Sequence, residues 1–105
     1  MSRALRIEPE ALAELQEAAS WYERKRPGLG VQFVDAVDGT VARIHQLPFA
    51  FPMILERPQV RRALLRRFPY AVVFSVRDEA IHVLAYAHAK RRPLHWAHRV
   101  ADEDE

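Results

Sequence analysis

Two apolar stripes at helical spacing, separated by one tight turn, dominate the first half of this chain. The stripes comprise Ala11, Leu12, Leu15, Ala18, Ala19 and Tyr22 after Pro9, and then Phe33, Val34, Val37, Val41, Ile44 and Leu47. Residues three and four apart share one face of a helix, so each stripe predicts an amphipathic helix. Pro27-Gly28-Leu29-Gly30 lies between them and suits a short connection. The sequence therefore predicts an antiparallel helical hairpin.

The remainder of the chain has the character of short strands. The predicted strands, rich in β-branched and aromatic residues, are Arg3 to Ile7, Val60 to Leu65, Tyr70 to Arg77 and Ala80 to His88. Asp78-Glu79 falls where a tight hairpin turn belongs, and Pro93 suits the start of a short helical turn. The predicted order is β-α-α-β-β-β, an α+β fold with the hairpin on one face of a small, mainly antiparallel sheet.

Length and composition restrict the class of protein. With 105 residues and no cysteine, the chain is expected to form a single domain over residues 1–101 without disulfides or a thiolate metal site. We expect a cytoplasmic protein, because no apolar run approaches the roughly 20 residues of a membrane helix and no signal peptide is evident. No cofactor is expected.

Charge is distributed unevenly along the chain. Residues 57–101 carry ten Lys or Arg against two Asp or Glu, whereas residues 102–105 form an acidic tail. Such clustering attracts phosphate or an acidic partner, although a solvated cationic surface that maintains solubility is an equal alternative. The basic half contains the residues expected to form a substrate or partner surface: Arg61, Arg66, Arg67, Lys90, Arg92 and Arg99.

The segment HAKRRPLHWAHR, from His88 to Arg99, combines cations, histidines and one tryptophan. Trp96 is expected to cover the core, because a large aromatic side chain mostly buries area. A metal site is not expected, because no carboxylate or cysteine accompanies the histidines in this segment before the acidic tail. Arg91 is hard to explain by packing alone and is expected to be functional, unless it forms an intramolecular ion pair with Glu8 or Glu10.

Three segments together resemble the RelE/ParE superfamily of bacterial toxins. They are WYERKRPGLG (21–30), RRALLRRFPYAVVFSV (61–76) and the pattern of His88, Arg91, Pro93, Trp96 and Arg99. The resemblance covers residues 3–99 in the family's order. It implies the fold predicted above, a role as the toxin of a type II toxin–antitoxin module, and a neutralising antitoxin in a toxin–antitoxin hetero-oligomer.

The superfamily includes RelE-like enzymes, metal-independent endoribonucleases that cleave mRNA on the ribosome. Such cleavage needs proton transfer and cations around the phosphate. The candidate catalytic residues are His88 for proton transfer, with Arg91 and Arg62 gripping the phosphate. If the last strand alternates strictly, His82, Leu84, Tyr86 and His88 share a face. Tyr86 is then a second candidate to assist His88 in catalysis. RelE-like enzymes usually also carry lysines in the middle strands or a tyrosine near the C-terminus, and here no tyrosine follows Trp96.

ParE-like members of the superfamily instead poison DNA gyrase, which requires a shaped surface rather than an acid and a base. The two long predicted helices are more similar to ParE than to compact RelE forms, so the sequence favours the gyrase target over ribosomal mRNA. A third hypothesis is that the chain is a non-toxic relative that only binds its antitoxin. In every case the basic half is available as the antitoxin's binding surface, and association is expected to depend on salt.

Overall fold

The fold consists of a helical hairpin packed on one face of a five-stranded sheet. The computed structural model describes residues 3–100. Its regular elements are β1 (Ala4–Ile7), α1 (Pro9–Lys25), α2 (Leu29–Gln46), β2 (Met53–Leu55), β3 (Val60–Leu64), β4 (Tyr70–Arg77) and β5 (Ala80–His88). The acidic tail predicted at 102–105 lies outside the described residues. No helix within the described part of the chain is long and apolar enough to cross a bilayer.

The sheet has the strand order β1-β5-β4-β3-β2. Strand β1 runs parallel to β5, and the other neighbouring pairs are antiparallel. The predicted α+β architecture is thus confirmed, with one additional strand. Strand β2 was missed because it contains three residues, follows Pro52 and shows no alternation; its pairing with β3 defines it. Asp78 and Glu79 form the β4–β5 turn, both with positive φ, as a tight hairpin turn requires.

The connection between α1 and α2 is held by a side chain near the end of α1. The Glu23 carboxylate accepts hydrogen bonds from the backbone N–H groups of Gly28 at 2.9 Å and Gly30 at 3.0 Å. Those N–H groups belong to the start of α2, where the helix has no internal acceptors for them. Gly28 adopts φ 89°, and Gly30 allows close approach of the helices, since an added Cβ would lie 2.6 Å from the Ala19 carbonyl oxygen.

Each face of the sheet carries its own apolar cluster. The helix-side cluster includes Phe33, Val37 and Ile44 of α2 packed with Val72, Phe74, Ile81, Val83 and Tyr86 of the sheet. The opposite-side cluster consists of Val60, Val73, Leu84, Ala85 and Trp96, with Ile54, Leu55, Ala87 and Val100 at its border. The sheet is therefore covered on one side by helices and on the other by the chain that follows β5.

A bulge in β5 interrupts the side-chain alternation that the sequence predicts. Val73 pairs with Ala85 and the next residue, Phe74, pairs with Val83, so Leu84 is an extra residue on β5. Leu84 consequently packs in the opposite-side cluster, whereas Tyr86 packs in the helix-side cluster. The prediction that His82, Leu84, Tyr86 and His88 share one face was wrong, because it assumed an uninterrupted strand.

Two further sequence expectations also differ from the structure. Leu47 is exposed rather than part of the α2 stripe, because it is the residue that ends the helix and has φ −142°. Pro93 opens a series of turns rather than a helix, and Leu94 takes a positive φ of 62° that interrupts helical geometry. The short 3-10 helix begins later and contains Ala97–Arg99.

Candidate partner-binding groove

The candidate site is formed where residues 89–100, the C-terminal segment, cross the sheet face opposite the helices. The segment begins with a backbone hydrogen bond from Ala89 N–H to the Pro69 carbonyl, 2.8 Å long. Trp96, which is 3% exposed, then packs on the opposite-side cluster. The expectation that Trp96 covers the core is confirmed, and this burial holds the segment against the sheet.

Glu14 of α1 attaches the C-terminal segment from the other side. Its carboxylate accepts two hydrogen bonds from the Arg99 guanidinium, at 2.9 and 3.1 Å, and lies 3.0 Å from His95 Nε2. It also accepts the Tyr86 backbone N–H at 3.1 Å. Burial alone would raise the pKa of Glu14, but the hydrogen bonds from Arg99 and His95 outweigh it, so the pKa lies below its ordinary value.

The β5 bulge and this ion pair meet at the same point of the sheet. Besides binding Glu14, the Arg99 guanidinium donates to the Leu84 carbonyl at 3.0 Å. Leu84 is the extra residue of the bulge, and the Tyr86 N–H bound by Glu14 lies two residues further on. Glu14 and Arg99 thus supply hydrogen bonds to backbone groups at the bulge and just after it, as buried polar groups require.

Between the C-terminal segment and strands β3 and β4 lies a groove of about 650 Å³. Its apolar lining includes Leu64, Leu94 and Trp96, and its rim carries Arg62, Arg91 and Arg92. Leu64 and Leu94 line the same groove and are 64% and 47% exposed, so the groove offers apolar surface to a partner. The groove combines exposed apolar surface with a cationic rim, and so suits an amphipathic segment of opposite charge.

His88 lies at the edge of this groove with one ring nitrogen engaged. The Lys90 backbone N–H donates to His88 Nδ1 at 2.9 Å, and the imidazole stands edge-on to the Tyr70 ring, with centroids 5.0 Å apart. Because Nδ1 accepts, the neutral imidazole carries its proton on Nε2. The structure brings His88, Arg62 and Arg91 to the lining of one groove.

The other predicted surface cations occupy different positions. Arg92 lines the groove, whereas Arg61 donates to the carbonyls of Phe49 and Phe51 at 3.3 and 2.7 Å and lies over the Phe49 ring. Arg66 and Arg67, in the β3–β4 connection, line a separate hollow beside α2. The Lys90 side chain is on the exposed part of the C-terminal segment. The predicted surface is therefore not one continuous patch.

Arg99 is the predicted surface cation whose position differs most from expectation. Its side chain is only 7% exposed, and it is paired with Glu14. The sequence left open an intramolecular ion pair of Arg91 with Glu8 or Glu10. Among the described residues, the ion pairs with α1 instead involve Arg99, His95 and His98, whose Nε2 lies 3.1 Å from Glu10. His95 and His98 do have carboxylate neighbours, since Glu14 and Glu10 approach them from α1, which the sequence reasoning overlooked.

The residue that the sequence reasoning missed is Glu14. A signal was present, because Glu14 lies between Ala11, Leu15 and Ala18 on the buried side of α1. A carboxylate on an apolar stripe predicts a buried partner for its charge. The sequence could not indicate that this partner is Arg99, because the two residues are 85 positions apart.

Comparison with known proteins identifies the family of this chain. Residues 5–93 match the family profile described as the ParE toxin of the type II toxin–antitoxin system parDE. The chain belongs to this family. Over 97 residues it is also 37% identical to Toxin ParE2 of Mycobacterium tuberculosis, in strains CDC 1551 / Oshkosh and H37Rv, with coverage of 89% of this chain and 88% of the relative.

Two solved structures share the fold of this ParE-family chain. A chain from the chromosomal ParDE system of P. aeruginosa superposes with a TM-score of 0.73 and 22% identity, covering 84% of this chain and 97% of that one. A mutant of the E. coli toxin RelE in the free state gives a TM-score of 0.68 and 17% identity, covering 96% and 100%. At these identities the likeness concerns the fold, which ParE and RelE toxins have in common.

Proposed function

We propose that this ParE-family toxin acts in the cytoplasm by inhibiting DNA gyrase and is neutralised by a cognate antitoxin that occupies the groove. The observation that carries the antitoxin part is the groove itself, with exposed Leu64 and Leu94 beside Arg62, Arg91 and Arg92. Family membership supports the toxin role, and the gyrase target follows from the resemblance to ParE-like toxins.

The chemistry of the groove specifies the kind of antitoxin segment that fits. The exposed leucines favour an amphipathic segment whose apolar side chains replace water on their surfaces. The three arginines on the rim favour carboxylates on the polar side of that segment. Charges at a rim mainly accelerate association, so we expect the association rate to fall as salt is added.

The nuclease alternative requires more than the groove supplies. Cleavage through the 2′-hydroxyl needs a base and an acid around one phosphate. Of the two histidines that line the groove, His95 is bound to Glu14, and His88 Nε2 has no partner within residues 3–100. Tyr70 also lines the groove, but burial raises its pKa and disfavours its use as a base. This supports gyrase over mRNA as the target.

The target is tested with purified, antitoxin-free protein in two parallel assays. One measures plasmid supercoiling and trapped DNA cleavage by gyrase, and the other maps new 5′ ends of mRNA on translating ribosomes. Trapped DNA breaks with intact mRNA support the proposal. Codon-phased mRNA cuts that disappear in His88→Ala would instead establish a ribosome-dependent nuclease. A chain that causes neither DNA breaks nor mRNA cuts, and that does not arrest growth when it is expressed alone, is a non-toxic binding partner.

The antitoxin site is tested by charge reversal on the groove rim. Arg62→Glu is expected to weaken binding of the protein encoded beside this gene by roughly tenfold or more, because an arginine–carboxylate contact becomes a repulsion. Arg6→Glu is the matched control, since Arg6 is exposed on β1 and does not line the groove. Equal weakening by both variants would indicate a non-specific charge effect and exclude the groove.

A further inference from the structure

A second cleft lies on the helix side of the fold, where α1 passes the ends of β4 and β5. It has a volume of about 610 Å³, within the range of small-ligand sites. Tyr22, Tyr70 and Tyr86 line it together with Ala18, whose small side chain limits how much of the space is filled. Trp21 and Arg24 of α1 line one side, and His88 at the end of β5 and Arg91 just after it line the other. The cleft therefore has aromatic surfaces and cations on both sides.

Three tyrosines of the cleft lining have hydroxyls without a side-chain hydrogen-bond partner among the described residues. Within residues 3–100, none of the hydroxyls of Tyr22, Tyr70 and Tyr86 takes part in a side-chain hydrogen bond. The buried side-chain atoms that lack partners in this part of the chain are His82 Nε2 and Arg99 Nε, so the tyrosine hydroxyls are not sealed off from solvent. Burial raises the pKa of all three tyrosines, which therefore remain protonated hydrogen-bond donors at neutral pH.

Two arginines of the cleft lining are available to an anionic group. Among the described residues, neither Arg24 nor Arg91 has a carboxylate within ion-pair distance, whereas the charge of Glu14 is already met by Arg99. His88 adds a donor, because its Nδ1 is occupied and its Nε2 carries the proton. Glu17, the remaining carboxylate of the lining, supplies an acceptor for hydroxyl or amino groups. A ligand that satisfies this set has a planar ring, hydroxyl groups and an anionic group.

We propose that this cleft binds one nucleotide unit, with the base against the Trp21 ring, which is 48% exposed, the sugar hydroxyls near Glu17, and the phosphate between Arg24 and Arg91. Aromatic side chains stack on any base, and arginine matches the geometry of phosphate oxygens. A free nucleoside monophosphate and a nucleotide within single-stranded RNA present the same groups. The cleft adjoins the groove proposed for the antitoxin, and Pro69, Tyr70, His88 and Arg91 line both.

The two tryptophans of the chain allow each site to be observed separately. Trp21 lines the cleft and Trp96 lines the groove, and no other tryptophan is present. In Trp96→Phe, the fluorescence of Trp21 reports the cleft; in Trp21→Phe, the fluorescence of Trp96 reports the groove. Titration of Trp96→Phe with adenosine monophosphate and with a short single-stranded oligoadenylate is expected to give saturable quenching with at least one of them.

Matched substitutions test the assignment of the phosphate. In the Trp96→Phe protein, Arg24→Gln is expected to weaken binding roughly tenfold, the value of one charge-assisted hydrogen bond, and Arg62→Gln is expected to leave it unchanged. Both residues are exposed, so neither change should affect folding, which circular dichroism checks. Tyr70→Phe keeps the ring and removes the hydroxyl, and is expected to weaken binding several-fold.

The titrations distinguish a free nucleotide from single-stranded RNA as the ligand, and they also show whether the cleft binds a nucleotide at all. Saturation by adenosine monophosphate identifies a free nucleotide as ligand, and saturation by the oligomer alone identifies single-stranded RNA. The proposal is overturned if neither ligand quenches Trp21, if adenosine without phosphate binds equally well, or if Arg24→Gln has no effect. A matching response of Trp96 in Trp21→Phe would also overturn it by assigning the ligand to the groove. None of these readouts depends on toxicity, so this test and that of the proposed function fail independently.

Discussion

Arg99 and Glu14 form a two-point ion pair that joins the C-terminal segment to α1. The guanidinium Nη1 and Nη2 atoms lie 2.9 and 3.1 Å from the two carboxylate oxygens. The Arg99 and Glu14 side chains are only 7% and 15% exposed, so solvent screens the pair weakly. The C-terminal segment forms one wall of the groove, and the ion pair is therefore part of what maintains the groove's shape.

Removal of the Glu14 charge is expected to destabilise the whole domain. Glu14→Gln removes the two-point partner of the buried Arg99 guanidinium and leaves it only the exposed Glu10 carboxylate, 3.6 Å from Nε. The loss of one partner of a buried pair lowers the free energy of unfolding by about 3 kcal/mol. Urea denaturation followed by circular dichroism measures the change. Glu10→Gln is the control, because Glu10 is 54% exposed and such a pair contributes only about 0.5 kcal/mol. Comparable losses in the two variants would contradict the role assigned to Glu14.

The lowered pKa of Glu14 predicts a specific acid dependence of stability. The unfolded chain binds the Glu14 proton near pH 4.5, whereas the folded chain binds it only at lower pH. This contribution to stability is therefore complete above pH 4.5 and is lost as the pH falls through the folded-state pKa. In urea denaturation between neutral pH and pH 3, the wild-type protein should lose more stability than Glu14→Gln. Parallel curves would show that Glu14 is not the responsible carboxylate.

The helices and the longer strands could be predicted because their signals are local. The stripe of α2 predicts its buried residues Phe33, Val37 and Ile44 from spacing alone. Strand β2 carries no comparable signal, since it exists through its pairing with β3. The β5 bulge could not be predicted from the sequence either, because the hydrogen bonds at Leu84 and Tyr86 come from Arg99 and Glu14, which are distant in sequence.

The candidate site was predictable in part for the same reason. His88, Arg62 and Arg91 were selected from residue type and charge, and the fold brings them to one groove. The exposed leucines of the groove were not selected, because exposure depends on how the C-terminal segment crosses the sheet. Arg99 was assigned to the surface because sequence reveals its charge but not its burial.

Substitution of the two glycines of α2 by alanine is expected to change the stability of the protein in opposite directions. Gly30→Ala would place a Cβ 2.6 Å from the Ala19 carbonyl oxygen, a backbone atom that can move only with α1. We expect a loss of about 1 to 2 kcal/mol, because overpacking outweighs the better helix propensity of alanine. At Gly39 an added Cβ meets nothing within 4 Å, so Gly39→Ala should stabilise the protein by up to about 1 kcal/mol. Thermal unfolding measures both, and stabilisation by Gly30→Ala would contradict the close helix contact.

Tyr86 predicts the alkaline limit of stability. Burial of its ring, followed by the charge of Asp38, raises the pKa of Tyr86 to about 12 from an ordinary value of 10.0. The folded state keeps this proton more tightly than the unfolded state, so the contribution to stability is complete below pH 10.0 and is lost as the pH rises toward 12. Tyr86→Phe cannot ionise and should retain about 2 kcal/mol more of its neutral-pH stability at high pH. Urea denaturation from neutral pH to pH 12 measures this difference, and Tyr22→Phe, which removes a tyrosine of less complete burial, should show a smaller one. An equal effect of the two variants would mean that the bulge does not hold Tyr86 in the apolar helix-side cluster.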